Sequence, residues 1–328
     1  MMQIGLLSVG SGAAAALLFA SLTTASYLSI VLFYLAPLPL MIAGLGWSHW
    51  SALIGAFAGA AILAVLFGGM FFLGFIAVIG APSWILTRLA MLGRPARDRD
   101  DTASFDTSVD WFPPGMLVVT AALLGAAVVL LAFPLIGLDA ASFHNGMVEK
   151  LGQVLRIETG TPDGKPLSVP GVQNAQRMLE VLALILPPAG AIVATLINLI
   201  NLWLAGRVVR LSSRLARPWP QLSAMSFPVW APILLAVAIA ATFAGGLPAT
   251  AAAVVSAPLM LAYALLGFAV LHEITRGRDS RPFILAGIYA SVLVFGWPML
   301  LLSVLGLAET GLGIRARVAA KPRSSPKR

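Results

Sequence analysis

Polar side chains are scarce inside the apolar stretches of this chain, and three of them share one helical face. Thr195, Asn198 and Asn201 stand at i, i+3 and i+6, a spacing that puts successive side chains on a single stripe. An amide or hydroxyl in an apolar medium needs a hydrogen-bond partner, and two kinds of chemistry would supply one. The stripe either bonds to a neighbouring helix or lines a pocket for a small polar molecule. Pro187 and Pro188 lie just upstream and strengthen the pocket reading, because a broken helix exposes its carbonyls to a ligand. Thr195, Asn198 and Asn201 are therefore the expected ligand-binding residues, with interhelical bonding as the alternative.

Other reactive constellations fail on spacing. His49, His144 and His272 are isolated, and no His-Glu-x-x-His pair exists to hold zinc. Cysteine is absent, which removes thiolate nucleophiles, disulfides and iron–sulfur ligands. Gly10-Ser11-Gly12 lacks the spacing of a nucleophile elbow. The stretch from Gly160 to Pro166 has one residue too few for a phosphate loop, and a proline where Ser or Thr must meet magnesium. No catalytic residue, metal or cofactor is expected. The chain does not read as an enzyme.

The elements that must position these residues follow from composition. Of 328 residues, 59% are hydrophobic and 10% are charged, against roughly 45–50% and about 25% in a soluble domain. The net charge of +8 lies almost wholly outside the apolar runs, so a nucleic-acid partner is excluded. About 20 apolar residues span the hydrocarbon layer as a helix. Candidate segments are 4–24, 27–46, 50–68, 70–92, 115–137, 179–205, 228–246, 248–272 and 283–307. The expected fold is all-α, a polytopic transmembrane bundle of eight to nine segments within residues 1–310. Proline at 37, 39, 187, 188, 258 and 298 should kink or break helices. The N-terminus has no basic residue ahead of its long apolar run, so it reads as a first membrane helix rather than a cleaved leader.

Basic loops set the orientation. Arg207, Arg210, Arg214 and Arg217 share a loop without an acid and should be cytoplasmic. Counting outward makes 93–114 a cytoplasmic linker and puts loop 138–178 on the far side. That far loop carries Phe143, Met147, Val148, Leu151, Val154 and Leu155 at three- and four-residue spacing, which predicts a surface amphipathic helix over 141–157. Nine full crossings would strand the basic, disordered tail (311–328) outside the cell. Gly296-Trp297-Pro298 offers a way out, with the ninth segment a re-entrant hairpin of two half-helices.

A second stripe carries small residues. Gly12, Ala16 and Ala20 form a ridge on the first segment, and such ridges let helices approach closely in lipid. They serve either internal packing or the docking of another membrane subunit. The run from Leu35 through Pro37 and Pro39 to Gly44, the Phe227-Pro228-Val229-Trp230 entry, and Leu305 to Glu309 followed by Arg315 resemble the YybS-like family of bacterial membrane proteins, a domain of unknown function. The N-terminal half is distantly similar to the S components of energy-coupling-factor transporters. That resemblance implies a subunit that binds a small molecule and docks through Gly12, Ala16 and Ala20 to other membrane subunits or a coupling ATPase complex. The expected function is small-molecule binding or transport in the cell inner membrane. A non-transporting membrane scaffold or assembly factor is the alternative.

Overall fold

The computed structural model describes residues 2–24, 26–95, 109–162, 165, 167, 169 and 171–320. Fourteen α-helices account for most of them: α1 (Met2–Ala20), α2 (Tyr27–Tyr34), α3 (Pro37–Gly46), α4 (His49–Phe67), α5 (Gly69–Phe75), α6 (Ala81–Ala90), α7 (Pro114–Ala132), α8 (Ala140–Thr159), α9 (Ala175–Leu211), α10 (Trp230–Ala241), α11 (Gly246–Ile274), α12 (Arg281–Phe295), α13 (Pro298–Leu312) and α14 (Ile314–Ala320). Seven helical stretches are long and apolar enough to cross a membrane, and three shorter apolar helices lie at Trp230–Ala244, Arg281–Phe295 and Pro298–Leu312. Large apolar side chains such as Leu17, Val65 and Leu131 stand exposed on the perimeter, which suits lipid and not water. The chain is an all-α, multi-pass membrane protein.

Local chemistry places the breaks. Ser26 opens α2 with a capping box, its hydroxyl accepting from the Ser29 amide while Ser29 accepts from the Ser26 amide. Leu35 and Ala36 then interrupt the second apolar segment, and Pro37 starts α3 at a position where its missing N–H does no harm. Gly68 (φ 96°) turns the chain between α4 and α5, a conformation open to glycine alone among common residues. A π-helical turn at Ile76–Gly80 precedes Pro82 in the first turn of α6, absorbing the bond that this proline cannot donate. The ninth segment is divided at Gly296 (φ 71°) and Trp297 into α12 and α13. The sixth and eighth segments are not broken at their prolines. α9 runs unbroken through Pro187 and Pro188, and α11 through Pro258. Each proline removes one backbone bond, and packing of α9 against α7, α3 and α8, and of α11 against α13 and α7, outweighs that loss.

Packing depends on small residues. α1 crosses α4 where Gly12 meets the backbone of Gly55 and Gly59, α7 crosses α9 where Gly125 meets Thr195, and α11 crosses α13 where Gly267 and Gly306 meet the backbones of Leu302 and Tyr263. α11 is the most buried of the long helices, and its Leu259, Tyr263 and Leu266 form a core with Val119, Phe227 and Ala231.

The bundle has two unlike ends. At one, Arg214 lies over the Trp47 ring at 4.6 Å, and Arg217 reaches the Ala90 carbonyl. Arg315 also belongs there, bonding to the carbonyls of Ser223 and Met225 and to Glu309 at 2.8 Å. Every described arginine except Arg156 and Arg177 lies at this end. At the other end α8 covers the bundle, with Phe143 against Phe133 at 4.4 Å between ring centroids. Gly93–Pro95 pairs antiparallel with Val109–Trp111, giving the expected linker 93–114 a short ladder (β1, β2), while its acidic part, 96–108, falls outside the described residues. Ile314–Ala320 is helical, so the expected disordered tail does not begin at 311; residues 321–328 lie outside the described part.

Two outcomes follow. Gly12→Val pushes a branched side chain against the backbone of α4 and should destabilise the bundle by about 1–3 kcal/mol. Gly10→Val, on the same helix with nothing within 4 Å, should be nearly silent; thermal unfolding of the two variants in detergent compares them. At the other end, hydrogen bonds from the Ser142 amide and hydroxyl, then the Ala141 amide, hold the Asp139 carboxyl below its ordinary value. A depressed carboxyl stabilises above its unfolded pKa of about 3.9 and loses that contribution as pH falls through the folded value. Amide exchange in the first turn of α8, corrected for intrinsic rates, should therefore quicken below about pH 4. Asp139→Asn should abolish that pH dependence.

Candidate functional site

The polar stripe of α9 is buried, as its spacing requires, but it faces other helices. Thr195 donates to the carbonyl of Ala191 at 2.8 Å and approaches that of Ala121 on α7 at 3.5 Å. Asn201 Nδ2 donates to the Tyr34 carbonyl at 2.8 Å and to Ile197 at 2.7 Å. The Tyr34 bond has a clear origin. The turn ahead of Pro37 disrupts the α2–α3 ladder, leaving the last carbonyls of α2 short of amide donors, and Asn201 satisfies one of them from across the bundle. Asn198 is buried alongside, its Oδ1 unpaired. Of the expected ligand residues, Thr195 and Asn201 thus bond to neighbouring helices, Asn198 is buried on the same stripe, and none of the three lines the cleft described below.

The expected docking ridge is likewise spent within the chain. Gly12 lies against Gly55 and Gly59, Ala16 is buried in a cluster with Ala56, Ala60 and Phe75, and Ala20 packs on the same cluster. α4 fills the face that a partner subunit would need.

The large cavity opens elsewhere, at the arginine-rich end. It is a half-open cleft of about 910 Å³, within the range of about 300–1,000 Å³ typical of small-molecule sites. Its inner walls are apolar: Leu117 and Val118 from α7, Leu199 and Leu202 from α9, Leu265 and Phe268 from α11. Two adjoining faces of α9 therefore do different work, one bonding α2 and α7, the other lining the cleft.

The mouth is cationic. Arg217, Arg276 and Arg281 line it with one acid, Glu273, and Glu273 already pairs with Arg276 at 3.6 Å. Arg217 is only 9% exposed. Its Nη1 donates to the Ala90 carbonyl at 3.0 Å, at the C-terminal end of α6 where a cation is favoured. That bond occupies one of five guanidinium donors. No carboxylate lies within ion-pair distance of Arg217 among the described residues. Burial pushes its guanidinium below the ordinary value, though arginine stays charged throughout the working range. Arg281 donates from Nη2 to His272 Nδ1 at 3.5 Å, and His272 Nε2 then serves as donor to the Tyr289 hydroxyl at 2.8 Å. The Nε of Arg281 is buried without a partner. Trp203 and Trp219 form the rim, with Arg207 over both rings at 5.7 and 5.9 Å and Arg210 over Trp219 at 5.3 Å.

In the sequence, Arg217 marks orientation alone. A usable signal was present in Arg217-Pro218-Trp219-Pro220, a charge directly ahead of a tryptophan held between two prolines. No cluster of three metal-ligating side chains occurs among the described residues. Asn201→Ala should lower stability by about 0.6–1.7 kcal/mol, leaving the Tyr34 carbonyl unpaired, and should leave ligand binding in the cleft unchanged. Denaturant titration and a binding assay on the same preparation check the two halves. Comparison of the chain with protein-family models, curated proteins and solved structures finds no match.

Proposed function

We propose that this is an inner-membrane protein that binds a small molecule in the cleft at its cytoplasmic end, in the manner of a transporter's substrate-binding membrane subunit. The observation that carries the reading is the cleft itself, with its apolar walls and a buried arginine lacking a counter-charge. A membrane scaffold needs a solid core and has no use for such a space. The distant resemblance to S components points the same way, but rests on the sequence alone. Since α4 occupies the Gly12 ridge, any coupling subunit docks on another face.

The topology that goes with this reading has eight crossings and a returning ninth segment. Arg281 at the start of α12 bonds to His272, and Arg315 just after α13 bonds to Ser223 and Met225, so the ninth segment leaves and re-enters one end of the bundle. Clustered arginines make that end cytoplasmic. A fluorescent-protein fusion at the C-terminus should be bright, and a phosphatase fusion there inactive. An active phosphatase fusion would refute the hairpin.

Binding is tested by thermal shift of the purified protein against anionic, neutral and cationic metabolites. A ligand present at a hundred times its Kd should raise Tm by about 5 °C, and should fail to do so in Leu202→Trp, where the wall is filled. No shift with any compound would favour the scaffold.

A further inference from the structure

The cleft pairs two environments that few ligands match at once. Its depth is apolar, and its mouth sets three arginines against a single glutamate that one of them already engages. Arg217 is buried with one hydrogen bond and no acid beside it among the described residues. Arg281 keeps a buried Nε with no partner. An unpaired buried donor such as the Arg281 Nε is costly unless an acceptor arrives, and a charge held near an apolar medium is retained for work. A monoanionic carboxylate would answer one arginine. A phosphate monoester, with a charge near −2 and three acceptor oxygens, answers both. A head group alone would leave the apolar walls of Leu199, Leu202, Leu265 and Phe268 wet, whereas an alkyl or isoprenoid chain covers them at about 0.8 kcal/mol per buried CH₂.

Resting on the small-molecule reading above, we propose that the ligand is a single-chain amphiphile ending in a phosphate monoester. Its phosphate is held by Arg217 and Arg281 at the mouth. Its chain lies between α7, α9 and α11. Trp203 and Trp219 flank the entry, where an amphipathic ring tolerates both head and chain.

The test uses the full chain purified in a neutral detergent, with radiolabelled hexadecyl phosphate as the probe. Saturable binding is expected, displaced by unlabelled hexadecyl phosphate and at most weakly by inorganic phosphate, hexadecanol or palmitate. Arg281→Gln, which disturbs no backbone contact, should weaken binding about tenfold, the scale of one charged hydrogen bond. Arg217→Gln should do at least as much, while Arg217→Lys retains part of the affinity. Arg278→Gln, exposed and outside the cleft, should bind as wild type. Displacement by inorganic phosphate as effective as by hexadecyl phosphate would overturn the chain assignment in favour of free phosphate. Equal displacement by hexadecanol or palmitate would overturn the phosphate assignment and leave the small-molecule reading standing. Absence of saturable binding, with a thermal-shift hit from some other class, would overturn this proposal alone. Absence of both would overturn the two together.

Discussion

Helices surrounded by hydrocarbon gain little from pressing apolar side chains together, because lipid tails are equally apolar. What holds this bundle is close backbone approach at glycine: Gly12 with Gly55 and Gly59, Gly125 with Thr195, Gly267 with Gly306. Each crossing fixes a pair of helices tightly enough that their remaining faces are committed. α1 is sealed to α4, α7 to α9 and α13 to α11. Interhelical hydrogen bonds then repair the backbone where proline has interrupted it, as Asn201 does for Tyr34.

The cleft is a consequence of where those crossings stop. α7, α9 and α11 meet at small residues deeper in the bundle, and beyond those points their side chains become large: Leu202, Trp203, Phe268. The helices can no longer approach, and the 212–229 loop folds back over the gap instead of filling it. That loop is anchored at both flanks. Arg217 holds the end of α6, and Arg315 holds the carbonyls of Ser223 and Met225 while bound to a Glu309 that is itself nearly buried. A loop pinned in this way keeps the cleft open with a fixed ring of cations at its mouth.

Much of the architecture was legible because it depends on local rules. Length and apolarity mark the spans, the three- and four-residue spacing from Phe143 to Leu155 marks α8, and Gly296-Trp297-Pro298 marks the division between α12 and α13. The prolines act unevenly for a physical reason. Pro37 and Pro298 stand where the chain has already turned, whereas Pro187, Pro188 and Pro258 sit inside long helices whose packing on their neighbours overrides the local break. The site was the least legible part. A stripe of Thr195, Asn198 and Asn201 is visible in sequence, but which neighbour it meets is not. The cleft draws its walls from α3, α6, α7, α9, α11, α12 and a loop, and the lack of a counter-charge at Arg217 is a property of space rather than of spacing.

Arg217 is the cation without a counter-charge, among the described residues, on which binding of an anionic amphiphile turns. The most direct measurement is a density map of the full chain in native-lipid nanodiscs, made large enough by a bound antibody fragment. The expected result is an elongated feature between α7, α9 and α11 that ends in compact density at Arg217 and Arg281. An empty or collapsed cleft, with Arg217 paired instead to an aspartate of its own chain, would contradict it.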